Sequence, residues 1–537
     1  MPTMSEAQPA TTQAPVLIVG GGPVGLVVAN LLAARGVALV LVERNKSTSE
    51  EAKAISLDDE SLRALHAAGL AEDVLDIVVP GTGTRYFGRK GRPLLHARGP
   101  QGYRLGFPFK NQFAQPELEA LLLNALTSRP EADIRFGTEL LAVTEDPDGT
   151  SATAVVRAPG QTTTQTFRAS WVLACDGGRS TVRDLRGIPM SGTSHRQVWL
   201  VADTTGDPHD ERYGIHLGTP HRPTVIVPGR DGRCRYEFLL RPDEGTRGVR
   251  PDFETLRRLV APYRSLTEAQ VERCTAYTFN AVVADRWHDG HVLLLGDAAH
   301  MMPPFAGQGL NSGIRDAANL AWKIEQVVRG RAREALLRTY EVERRPHATA
   351  MVRYSERLGS IVMTTDRRRA LVRDLATRAL LALPQGRRYL TEMRFRPRAR
   401  FEAGLVTGSH PLTGTQLPQP LVLIPPGLRP RLLDDILGPS FAVLGVDVPE
   451  AAWRQFDGAD WPDIMADATR IDVFLDDRLP PTTGPRTAVA DADGRLEQAL
   501  DTARNRFVLI RPDRYIAAVI GPGGLPAAVA ALGRTIR

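Results

Sequence analysis

The stretch Pro15-Val-Leu-Ile-Val-Gly20-Gly-Gly-Pro-Val-Gly25 decides the fold. A short β-branched apolar run reads as a strand buried on both faces, as in a parallel sheet. It ends in glycine and passes directly into a helix pattern, Val24 to Arg35, closed by Gly36. A second apolar run, Ala38 to Val42, follows as the next strand of a βαβ unit. The junction fits G-x-G-x-x-G. Gly20 allows the tight turn, Gly22 lets main chain approach a pyrophosphate, and Gly25 lets helix and strand pack closely. Pro23 and Val24 open the helix, whose unpaired N–H groups favour an anion. Glu43 ends the second strand at the spacing of a carboxylate that accepts ribose hydroxyls. This loop alone does not distinguish FAD from NAD.

Further along, Trp171 to Cys175 and His291 to Leu295 repeat the buried-strand pattern. Pro116 to Leu126 reads as a helix with Leu118, Leu121, Leu122 and Ala125 on one face. Between them, residues 191–285 carry short strands separated by Pro, Gly and Asp, the pattern of a largely antiparallel sheet inserted into an α/β unit. The expected organisation is a disordered N-terminus at 1–14 and a discontinuous nucleotide-binding domain at 15–190 and 286–400. Its helical segment is 334–400, the inserted sheet is 191–285, a Gly/Pro-rich linker spans 401–430, and a small α/β domain occupies 431–537.

Composition narrows the function. The chain has 537 residues, 42% hydrophobic and 24% charged, with net charge +6. That is an ordinary globular balance, not a disordered or fibrous one. Mean hydropathy is −0.19 and no run of uncharged apolar residues is long enough to span a bilayer, so no membrane is expected. The densest basic stretch, Arg367 to Arg400, lacks a reading motif, so no nucleic acid is expected. Three scattered cysteines, Cys175, Cys234 and Cys274, form no disulfide or zinc pattern. A cytoplasmic location is expected.

Two more segments set the cofactor. One is Asp176-Gly-Gly-Arg-Ser180-Thr-Val-Arg183, after a buried strand. The other is Gly296-Asp-Ala-Ala-His300-Met-Met-Pro-Pro304-Phe-Ala-Gly-Gln-Gly-Leu310-Asn311. With the first loop they make the chain resemble the group A flavoprotein monooxygenases, single-component FAD-dependent aromatic hydroxylases, whose segments read D-G-x-x-S-x-x-R and G-D-A-A-H…P…G-Q-G-x-N. The likeness is strongest to hydroxyphenylpropionate hydroxylases and to hydroxylases tailoring aromatic polyketides in antibiotic biosynthesis.

The third segment makes physical sense by itself. Asp297 would bind ribityl hydroxyls through charge-assisted hydrogen bonds. The Pro303-Pro304 turn forces extended backbone. Gly307 and Gly309 admit main chain to the flavin's pyrimidine edge. The helix start at Leu310 and Asn311 offers N–H groups to the N1–C2=O region. The resemblance further implies that Asp176 lies near the pyrophosphate and that Arg183 supports the motif or NAD(P)H. It also implies that Arg44 and Lys53 reach the cofactor, and that a glutamine before the 116–126 helix, Gln112 or with preference Gln115, faces the flavin.

The implied fold is a Rossmann-like FAD domain with an inserted antiparallel substrate sheet, a helical segment and a thioredoxin-like C-terminal domain. That last domain lacks cysteine, so thiol–disulfide exchange is excluded and a structural or homodimer contact is expected. The implied reaction is hydride transfer from NADPH or NADH to FAD. Oxygen capture from O2 as a C4a-hydroperoxyflavin and hydroxylation of a phenolic or polyketide ring follow. Baeyer–Villiger insertion or epoxidation uses the same motifs, and a non-catalytic flavin protein is the remaining alternative. Pro304 is the expected catalytic loop residue, with no metal. Tyr213, His216, Tyr236, Phe238 and Phe305 are the expected substrate residues, and His216 is the candidate base for a phenol proton.

Overall fold

The computed structural model describes residues 11–536 apart from 52, 101, 162, 426, 428, 476–485 and 522. Residues 1–10 of the expected disordered N-terminus lie outside the described residues. Residues 11–14 do not belong with them, because strand Thr11–Val19 begins there.

Five parallel strands make the centre of an eight-stranded sheet. Thr11–Val19 lies between Gln165–Ala174 and Leu39–Glu43, with Val292–Leu294 outside the first and Ala132–Phe136 outside the second. Val16, Leu17 and Ile18 are fully buried, in one core with Leu26 and Val27 of the following helix and with Leu140, Val143 and Ala154 of the sheet's antiparallel strands. Helix Pro23–Ala33 starts on Pro23, whose missing N–H costs nothing at a helix start. It is pinned to helix Gln115–Thr127 by Asn30 Nδ2, which donates to the Leu122 carbonyl at 2.9 Å. Helix Gly309–Val328 crosses its start so closely that a Cβ on Gly313 would lie 2.5 Å from Val24. Ser56–Asp58 is a short strand followed by helix Asp59–Ala67.

The inserted sheet also has eight strands. Met190–Thr204, Cys234–Leu239, Thr224–Pro228 and Gly214–Leu217 pair antiparallel in that order, with Val271–Ala284 on the outer side of the first. Its far edge comes from outside 191–285. Thr84–Phe87 pairs parallel with Gly214–Leu217 and carries Pro93–Ala97 beyond it. One face of this sheet is covered by helix Phe253–Val260 through Leu256, Leu259 and Val260. The other face looks toward the parallel sheet's loops.

The C-terminal unit is a seven-stranded mixed sheet flanked by helices, the thioredoxin-like arrangement expected of it. Its strand Leu421–Ile424 and the edge strand Arg429–Leu432 beyond it start inside the stretch read as linker. Buried charges join it to the rest. Arg511 donates to both oxygens of Glu343 at 2.7 Å, and Lys323 Nζ donates to the same carboxylate at 2.7 Å. Arg63 grips Asp434 at 2.6 and 2.7 Å. Such desolvated pairs fix orientation more than they add stability. Among the described residues no helix is long and apolar enough to cross a membrane.

Candidate cofactor and substrate site

One cavity of about 530 Å³ draws its lining from all three glycine-bearing segments and from the inserted sheet. A larger cleft of about 1340 Å³, beside Trp171 and His291, touches none of these segments.

The floor is main chain. Gly20 has φ +109°, and a Cβ there would lie 2.4 Å from the Cys175 carbonyl oxygen. A Cβ on Gly25 would lie 1.9 Å from the Gly20 oxygen. Gly22 and Gly309 differ from these, since a Cβ at either would meet no protein atom within 4 Å. Both face the cavity, so their bareness serves whatever fills it. Gly307 turns with φ +61° against Ser56. The ladder of helix Gly309–Val328 begins with Ser312 N donating to the Gln308 carbonyl, which leaves the amides of Gly309, Leu310 and Asn311 without a carbonyl inside the helix.

The acids around this floor have unused capacity. Asp176 Oδ2 accepts from Val182 N at 3.0 Å, while Oδ1 is buried without a partner. Asp297 receives no hydrogen bond among the described residues and opens into the cavity. Burial raises its pKa, with His300 and Lys53 opposing the shift. Burial likewise raises that of Asp176, opposed by Ser180 and nearby amides. Glu43 Oε2 accepts from Gly21 N at 2.7 Å and Oε1 from Asn45 N at 2.8 Å, which sets its carboxylate at the cavity wall. Bare glycines, free amides and underused carboxylates fit a dinucleotide with a flavin ring.

Gln115 rather than Gln112 lines the cavity. Gln115 Oε1 accepts from the amides of Lys53 and Ala54 at 3.1 and 2.6 Å, and its Nε2 donates to Glu119 at 2.7 Å. It thereby holds Lys53 at the chamber's edge. Gln112 lies in strand Lys110–Gln112, paired with Ser56 and Val79 and away from the chamber. Arg44 is exposed at the rim. Pro23, Val24, Pro304, Phe305 and Leu310 also line the chamber.

The structure narrows the expected roles of Arg183 and Asn311 and changes those of Tyr213, Tyr236 and Phe238. Arg183 does not face the cavity: its guanidinium donates to the carbonyls of Ala298 and Gly178 at 3.3 and 3.1 Å, stapling the second motif to the third. The Asn311 side chain accepts from Asp58 N and Ser61 Oγ and donates to the carbonyls of Ser56 and Gly307, so only its amide is available. Tyr213 sits outside, under Arg85 at 4.2 Å. Tyr236 and Phe238 share a face of their strand as alternation requires, but that face packs on helix Phe253–Val260. Their ring centroids lie 6.1 Å apart with the planes 8° from parallel, and Tyr236 Oη donates to Asp207 at 2.8 Å.

The cavity receives the opposite face of the same strand, Arg235 and Glu237, together with Lys110, Val225, Val227, Tyr277 and Phe279. None of these was singled out by sequence. The available signal was a pair of charges, two residues apart, inside a strand otherwise buried. His216 does line the chamber. Burial and the Lys110 charge push its pKa down to about 3, so it is a neutral imidazole and not a base near neutral pH. Its ring meets Tyr86 edge-on at 5.1 Å. Phe305 packs edge-on against Trp199 and Phe279 at 5.4 and 5.3 Å. His300 in the third motif is held by Asp316 at 2.7 Å.

Comparison with known proteins agrees with this geometry. Residues 13–355 match a family model described as FAD binding domain, and residues 414–535 one described as HcaD C-terminal domain. A 3-(3-hydroxy-phenyl)propionate/3-hydroxycinnamic acid hydroxylase of Mycolicibacterium gilvum is 37% identical over 94% of this chain and 89% of its own. One of Burkholderia vietnamiensis, carrying the same name with the suffix 2, is 35% identical over 96% and 95%. The solved flavin-dependent monooxygenase PieE, in complex with FAD and substrate, shares the fold with a TM-score of 0.81 at 21% identity, covering 98% of this chain and 99% of that one. OxyS anhydrotetracycline hydroxylase from Streptomyces rimosus gives 0.74 at 25% identity, over 96% and 98%. The chain belongs to the FAD-binding aromatic hydroxylases, the single-component flavoprotein monooxygenases.

Proposed function

We propose that this enzyme hydroxylates a phenolic ring bearing a short carboxylate chain, of the 3-(3-hydroxyphenyl)propionate or hydroxycinnamate type, using NADPH or NADH and O2. The observation that carries the reading is the shared cavity: three loops suited to FAD face an aromatic-lined sheet across one chamber. Bound FAD supplies hydride acceptance and oxygen activation. The chain's own residues do the rest. The amides of Gly309, Leu310 and Asn311 favour negative charge at the pyrimidine edge. Asp297 and Asp176 receive hydroxyl donors, and Gly22 admits the pyrophosphate. Pro304 and Phe305, with Val225, Val227 and Phe279, wall the ring from water.

A second reading, oxygenation of a polycyclic polyketide in antibiotic biosynthesis, draws on the likeness to OxyS. The test incubates the purified enzyme with NADPH or NADH and each substrate class, and looks for a product heavier by one oxygen atom. The first reading expects an oxygenated phenylpropionate. Turnover of polycycles alone would replace it with the second. The reading includes a cytoplasmic enzyme, and sedimentation of the holoprotein tests whether it works as a homodimer.

A further inference from the structure

Two charges on the sheet face of the chamber form no direct ion pair among the described residues, and Arg235 and Arg273 act on Glu237 only through space. Glu237 is 4% exposed, and no group among the described residues donates to its carboxylate. Buried carboxylates are almost always hydrogen-bonded, so an orphan of this kind calls for a ligand. Its charged neighbour on the strand, Arg235, is engaged by Asp203 at 2.7 and 3.0 Å and by the Lys53 carbonyl at 2.7 Å. The second charge is Lys110. Its Nζ donates to Thr84 Oγ1 at 2.9 Å and meets no carboxylate among the described residues. Both residues line the chamber.

Strand register places them. Glu237 lies opposite Val225, which lies opposite His216, so these three share a row across three strands. Lys110 Nζ stands 3.8 Å from where a Gly214 Cβ would be, beside His216 on the same strand. The two charges therefore flank an apolar strip, Val225 and Val227, about 10 Å wide at two interstrand spacings. A phenylpropionate has a comparable reach from ring hydroxyl to carboxylate. Phe305 and Phe279 supply aromatic walls. His216, neutral, adds no competing charge.

We infer that the chamber binds its substrate with the ring hydroxyl donating to Glu237 and the carboxylate on Lys110. This rests on the hydroxylase reading and adds the orientation and the two specificity-determining residues. Burial pushes Glu237 up to about 7 and Lys110 down to about 8, so opposite charges coexist between those values.

The experiment titrates FAD-loaded enzyme with three ligands, following the change in flavin absorbance. They are 3-(3-hydroxyphenyl)propionate, its methyl ester and 3-phenylpropionate. Wild type should prefer the acid to the ester. Lys110→Gln should weaken the acid roughly tenfold or more and leave the ester unchanged, while Lys110→Arg retains the acid. Glu237→Gln should weaken the hydroxylated acid roughly tenfold or more and spare 3-phenylpropionate. In each variant the spared ligand reports an intact fold. Equal loss of acid and ester in Lys110→Gln, or no discrimination by either variant, overturns the inference. If a variant loses FAD, wild type still decides, because equal affinity for acid and ester refutes the role of Lys110. Failure of the hydroxylase reading looks different: ligands bind with this discrimination but no oxygenated product forms.

Discussion

The floor and the roof of the chamber present their chemistry by different means. The floor offers main-chain amides and bare glycines from three loops at the carboxyl ends of parallel strands. The roof offers side chains from one face of an antiparallel sheet. Main-chain recognition needs particular residues, because only glycine tolerates the φ of Gly20 or the close approach at Gly25. Side-chain recognition needs only that a strand alternate, and either face can be the working one. The floor therefore resembles other flavin proteins closely, while the roof is free to set the substrate.

Two glycines of one motif give the widest contrast. Gly25→Ala drives a Cβ into the Gly20 oxygen and is expected to cost about 3 kcal/mol of stability, seen as a large fall in melting temperature of the apoprotein. A Cβ at Gly22 meets no protein atom within 4 Å, so the Gly22→Val apoprotein should melt like wild type yet fail to retain FAD. If both variants fail alike, the distinction between packing glycine and ligand glycine is wrong.

Next in size is Asp297→Ala, which removes a cavity carboxylate that no protein donor satisfies. FAD affinity should fall about 10- to 100-fold in a fluorescence titration, with thermal stability of the apoprotein little changed. Wild-type affinity would remove Asp297 from the floor.

On the roof, Glu237 gives a pH-dependent test. Burial raises its pKa from 4.5 to about 7 in the folded protein. A carboxyl raised in this way binds its proton more tightly folded than unfolded, so its destabilising contribution is absent below about 4.5, grows between there and about 7, and is full above. Glu237→Gln should therefore raise the apoprotein's melting temperature at pH 8 and leave it almost unchanged at pH 4.5, with at most about 3 kcal/mol between them. An equal gain at both values would mean that the carboxyl is not desolvated. The smallest effect belongs to the opposite face. Tyr236→Phe removes a donor to Asp207, which Arg264 still pairs at 3.0 Å, so about 1 kcal/mol of stability is lost with KM unchanged. A changed KM would put Tyr236 in the chamber after all.

This contrast also explains what could be read from the chain. The Gly20–Gly25 loop and the Pro304–Leu310 segment, which line one cavity, stood out in the sequence because backbone geometry restricts residue type, and Asp176 and Asp297 stood out through the motifs that carry them. Alternation in Cys234–Leu239 correctly grouped Tyr236 with Phe238, but period two does not say which face is covered. Helix Phe253–Val260, which covers it, comes from a different part of the chain. Asn311 matched its motif, yet its side chain ties down Ser56 and Asp58, which leaves its amide as the group without a partner inside the helix. Thr84–Phe87 joins the roof through a parallel pairing with Gly214–Leu217 across more than a hundred residues, a non-local contact with no local signature. The start of the C-terminal sheet was hidden among prolines such as Pro430, which suits the edge strand Arg429–Leu432 as well as a linker.

The most direct test of the converging floor is the FAD content of the purified chain after denaturation. A floor built from three loops that meet in one chamber predicts a yellow protein releasing one FAD per chain, and a colourless Gly22→Val variant that remains folded. A folded wild-type protein that neither carries FAD nor takes it up when offered would contradict it.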